Sequence, residues 1–90
     1  MATPLYDDGE RLRKAFGRRV REVRTGRLSQ DGLARETEIH PTSIGRIERG
    51  GRDPRLSTIL KLAEGLGVEP GVLVNALEQP LSGRARPTQA

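Results

Sequence analysis

The sequence predicts an all-α fold, a compact bundle of five short helices. Three observations carry this. Apolar residues recur at spacings of three and four through most of residues 9–77. No stretch alternates with the two-residue period of a strand. Proline and glycine fall at intervals suited to helices of a few turns.

The elements follow in order. Residues 1–8 contain Pro4 and no periodicity, which predicts a flexible N-terminal arm. From Glu10 to Arg24, Leu12, Phe16, Val20 and Val23 form an apolar stripe, and Gly26 ends the helix. Ser29 suits the N-cap of a second helix, Gln30 to Thr37, with Leu33 and Ala34 facing inward. A third helix spans residues 41–49. Proline at a first helical position loses nothing, because its missing N–H has no partner there and its φ is already set. Pro41 therefore starts this helix, with His40 at the cap. Ile44 and Ile47 share one face, and Gly50 supplies the left-handed turn that closes it.

Asp53-Pro54 repeats the cap-plus-proline start, and Leu56, Ile59, Leu60, Ala63 and Leu66 follow at helical spacing until Gly67. Pro70 opens a last short helix with Val72, Leu73 and Leu77 as apolar positions. Residues 78–90 carry no core pattern and read as a disordered basic tail. The folded unit is thus residues 9–77.

Bulk composition narrows the function. Ninety residues make one small domain, whose core supplies only about 3–5 kcal/mol and often needs a partner subunit. No cysteine is available for a disulfide or thiolate site, and one histidine is too few for a His-based metal cluster. No metal, cofactor or small-molecule ligand is expected. No apolar run reaches transmembrane length, and MATPLYDD lacks the features of a signal peptide, so a cytoplasmic protein is expected. The net charge of +4 and pI near 10.6 suit a polyanionic partner. Residues 11–27 hold Arg11, Arg13, Lys14, Arg18, Arg19, Arg21, Arg24 and Arg27 against Glu22 alone. Residues 46–55 hold Arg46, Arg49, Arg52 and Arg55 against Glu48 and Asp53.

The stretch LSQDGLARETEIHPTSIGRIERGGRDPRLSTILKLAEGLGVEP resembles the helix-turn-helix of the lambda-type phage repressors and Cro, a large family of bacterial regulators. The matching pieces are Ser29-Gln30, Leu33-Ala34, Ile44, Ile47-Glu48, Gly50, Pro54 and Leu66-Gly67-Val68, and the similarity covers about residues 12–77. The resemblance implies a lambda-repressor-like domain that binds double-stranded DNA as a transcriptional regulator, a repressor in the first instance. The third helix would enter the major groove.

Pro41, Thr42, Ser43 and Arg46 are then the candidates for base contacts. Arg46 can donate two parallel hydrogen bonds to guanine, worth about 1–3 kcal/mol of discrimination. Phosphate contacts fall to Ser29 and Gln30 at a helix N-terminus, to His40, and to Arg49, Arg52 and Arg55 beside the recognition helix. Structural roles fall to Ala34 at the crossing of two helices and to Ile44 and Ile47, which would pin the third helix onto the second and fourth. Glu48, acidic in a basic region, pairs by resemblance with an arginine of helix one; Arg24 is the candidate. The chain departs from the family at three places. Glu38 stands where the turn usually has glycine, so the position either bears about 1–2 kcal/mol of left-handed strain or takes another geometry. Thr37 stands at a usually apolar position, and the link near Thr25-Gly26 looks one residue short.

Other classes compete less well. No Gly-rich phosphate loop, Walker lysine, Ser–His–Asp set or metal cluster points to an enzyme. An antitoxin or partner-binding module on the same fold is one alternative. The small controller protein of a restriction–modification system is another. A homodimer reading a pseudo-palindromic operator is expected, from the small core and the apolar Val72, Val74, Leu77 and Leu81.

Overall fold

The computed structural model describes residues 5–75 and 77. The chain forms α1 (Leu5–Arg24), α2 (Gln30–Thr37), α3 (Pro41–Glu48), α4 (Leu56–Leu66) and α5 (Pro70–Val74), with no strand among the described residues. The bundle is all-α, as the periodicity predicts. The tail expected over residues 78–90 lies outside the described residues, as do residues 1–4 of the expected arm.

Local chemistry explains most boundaries. α1 starts at Leu5, five residues before the expected Glu10, so residues 5–8 are helical rather than a loose arm. No proline interrupts the stretch from Leu5 onward. Ser29 caps α2 by accepting the Gly32 N–H at 2.9 Å. Pro41 opens α3, and His40 caps it, its Nδ1 accepting the Thr42 N–H at 3.1 Å. α3 ends at Glu48, one residue short of the expected end, with Arg49 as its C-cap and Gly50 at φ 79° closing the turn.

The turn between α2 and α3 keeps the left-handed geometry without glycine. Glu38 has φ 62° and ψ 25°, and its N–H donates to the Ala34 carbonyl. Thr37 is only 5% exposed, yet its hydroxyl is satisfied. Oγ1 donates to the Leu33 carbonyl at 2.8 Å and accepts the Ile39 N–H at 3.2 Å. A hydroxyl thus occupies an apolar position by serving the backbone of the turn.

α4 departs from expectation at its start. Asp53-Pro54 does not open it. The chain remains extended through Arg55 (φ −75°, ψ 159°), and no side chain caps the helix. Asp53, Pro54 and Arg55 instead line a cleft with Ile39, Ser43, Ile47 and Thr58, so the segment follows the flank of α3 before turning. Leu56 and Leu60 are 72% and 47% exposed, not core. Ile59, Leu62, Ala63 and Leu66 form the inward stripe. α4 carries apolar residues on two flanks, and only one can face in.

The core joins Phe16 and Val20 of α1 to Leu33, Ala34, Ile44, Ile47, Leu62, Ala63, Leu66 and Leu73. Ile44 and Ile47 are buried as expected, but α3 packs on α1 and α2, with little contact to α4. Gly17 is the reason. A side chain there would collide with the carbonyl oxygens of Ile47 and Glu48, so its absence lets the α1 backbone lie directly against the end of α3. Val74 and Leu77 pack partly against this core, and Leu81 lies outside the described residues. Two of the four residues expected to face a partner, Val74 and Leu77, are therefore partly used within the chain.

Candidate nucleic-acid interface

α3 turns about 100° per residue, so Thr42, Arg46 and Arg49, spaced four and three apart, form one stripe. All three are exposed, and the stripe lies opposite the buried Ile44 and Ile47. Pro41 is exposed at its start. Ser43 is half-buried and sits on the flank, in the cleft with Arg52 and Arg55. Of the four expected base-contacting residues, the fold brings Pro41, Thr42 and Arg46 to the outer face and leaves Ser43 at its edge.

The expected phosphate-contacting residues frame this stripe. Ser29 is exposed at the start of α2. Gln30 is half-buried, and its Nε2 donates to Glu48 Oε1 at 2.9 Å, which leaves one amide N–H and the carbonyl oxygen uncommitted by that bond. His40 is exposed, with Nδ1 engaged as a cap acceptor. Arg49, Arg52 and Arg55 are exposed around the C-terminal end of α3 and the segment that follows.

Behind the stripe, Glu48 anchors three helices. Its side chain is 4% exposed and that of Arg24 13%. Arg24 Nε donates to Oε2 at 2.6 Å, and Arg24 Nη2 to Oε1 at 3.0 Å. With Gln30, the carboxylate accepts bonds from α1 and α2 while sitting on α3. The Glu48 hydrogen bond raises the Arg24 pKa above its ordinary value, burial opposes this, and charge attraction adds to it. The pair forms although the link at Thr25-Gly26 looks short. Gly26 turns with φ 92°, and Arg24 Nη1 also ties the Leu28 carbonyl at 3.1 Å.

Several cations of the basic run serve the scaffold, which the sequence reading missed. Arg13 Nε donates to the Gly50 carbonyl at 3.3 Å, Arg19 Nε to Val72 at 2.8 Å, and Arg27 Nη1 to Leu66 at 2.9 Å. Each satisfies a carbonyl near the end of α3, α5 or α4, where helix geometry leaves acceptors open. The preference of arginine for such ends was available from sequence, but pairings this distant were not. Gly17 did leave a signal, a glycine within a helical stripe.

Among the described residues, no helix is long and apolar enough to cross a membrane. Residues 18–73 match the helix-turn-helix family. The chain is 41% identical over 66 residues to the control protein C.BamHI of Bacillus amyloliquefaciens, covering 71% of this chain and 82% of that protein. It is also similar to the crystal structure of the restriction-modification controller protein C.AhdI from Aeromonas hydrophila. That similarity has a TM-score of 0.65 and 44% identity, over 67% of this chain and 92% of that one.

Proposed function

The chain belongs to the helix-turn-helix family of DNA-binding transcriptional regulators, and on that premise we propose that it controls the genes of a restriction–modification system. It binds duplex DNA with α3 in the major groove. The observation that carries this is the exposed stripe of Thr42, Arg46 and Arg49, held from behind by the Arg24–Glu48–Gln30 clamp. Arg46 reads guanine, Thr42 and Pro41 make the neighbouring base-edge contacts, and Ser43 contributes from the flank. Ser29, Gln30, His40, Arg49, Arg52 and Arg55 meet phosphates and set the register. The controller assignment is supported by the two relatives, whose lengths this chain largely spans.

The protein acts as a homodimer in the cytoplasm, without catalytic activity of its own. Leu56 and Leu60, one turn apart and exposed on α4, supply the apolar surface for the second copy. Two-fold pairing then presents two α3 stripes to half-sites about 34 Å apart. Selection of bound sites from random DNA is the test. A pseudo-palindromic motif is expected. Recovery of no motif, with binding insensitive to salt, counts against the reading. Sedimentation showing only monomer, with and without the selected site, counts against the dimer.

A further inference from the structure

Gly45 lies in the interior of α3 and is buried, yet it is not covered by the core. A Cβ built there would have three polar tips as its nearest neighbours. They are Arg49 Nη1 at 3.2 Å, Gln30 Oε1 at 3.7 Å and Gln30 Nε2 at 3.9 Å. The backbone does not require glycine here, since Gly45 is absent from the positive-φ positions. In a helix interior glycine is the least favourable residue apart from proline. What it provides is space beside the Arg49 guanidinium, whose tip would have to give by a few tenths of an ångström to admit a Cβ.

The geometry points to Gly45 as the positioning residue for Arg49. Position 45 lies one turn before position 49, so a side chain there would crowd the guanidinium where it now folds back. Gln30 forms the far wall of the notch and is fixed by its bond to Glu48 at 2.9 Å. Glu48 is in turn fixed by Arg24 at 2.6 Å. Arg49 is exposed, and its Nη1 lies over position 45 of α3 on the side of Gln30. There it presents its charge to one phosphate of the duplex. A cation that already rests beside its contact before binding loses less conformational freedom there. The inference rests on the DNA-binding reading above.

A double-mutant cycle of Gly45→Ala and Arg49→Ala tests it. The probe is a short duplex pool of random sequence, because contacts to phosphates act on every sequence alike. Gly45→Ala is expected to raise Tm by about 4 °C through helix propensity. It should also weaken binding about threefold, a part of the roughly tenfold that one charge-assisted contact is worth. The slope of log affinity against log salt should move toward the loss of about one phosphate contact. In the Arg49→Ala background, Gly45→Ala should still raise Tm but leave affinity and slope unchanged. Equal affinity of Gly45→Ala and the parent overturns the inference, and so does the same loss in both backgrounds. A parent protein that binds no duplex overturns the DNA-binding reading itself, a separate result.

Discussion

Replacing Arg24 with methionine removes the charge and its donors while keeping an unbranched apolar side chain. Glu48 would keep only the Gln30 bond at 2.9 Å and lose the two from Arg24 at 2.6 and 3.0 Å. Its side chain is 4% exposed, so water cannot readily replace them. Removing one partner of a buried pair costs about 3–5 kcal/mol, because the remaining charge is left uncompensated. A domain of this size has a total stability of about 5 kcal/mol, so the variant should be close to unfolded. At about 4–8 °C per kcal/mol, Tm should fall by more than about 12 °C. Urea titration followed by helical circular dichroism measures the change. The double variant Arg24→Met/Glu48→Leu removes both charges and should return to within about 1 kcal/mol of the parent. An Arg24→Met loss under about 1 kcal/mol would refute the reasoning, as would a double variant no more stable than the single one.

Arg46→Ala should flatten the preference at one base position by about 1–3 kcal/mol, read from the motif selected with the variant. An unchanged motif would place base reading elsewhere. Arg52→Ala or Arg55→Ala should weaken all sequences alike and lower the salt slope by about 1, measured by titration at several ionic strengths. Glu38→Gly relieves left-handed strain at φ 62° and should stabilise the fold by about 1 kcal/mol in the same urea assay. A neutral or negative effect would mean that the Glu38 side chain contributes more than its backbone costs.

The helix starts and stops set by single residues were legible. Ser29, Pro41 and Gly50 act locally, and each does in three dimensions what its chemistry dictates alone. Glu48 and Arg24 were legible through resemblance, because one acid in a basic region needs a reason. The start of α4 was not legible. Asp53-Pro54 has the chemistry of a helix start, but the chain stays extended through Arg55 and lines a cleft with Ser43 and Ile47 of α3. The rotation of α4 was hidden because its apolar residues occupy two flanks. The basic run misled for a related reason. Net charge cannot distinguish an arginine facing a polyanion from one bound to a carbonyl of its own chain, and Arg13, Arg19 and Arg27 are of the second kind. The candidate stripe itself needed the fold only to move Ser43 to the edge and to set Arg49 beside Gly45.

The bare main-chain seam at Gly17 has a consequence for substitution on α3. Where two backbones meet without an intervening side chain, there are no rotamers to rearrange, so the seat of α3 on α1 does not depend on which residues stand on its outer face. Exchanges at the outward positions then need no retuning of the interior to accompany them.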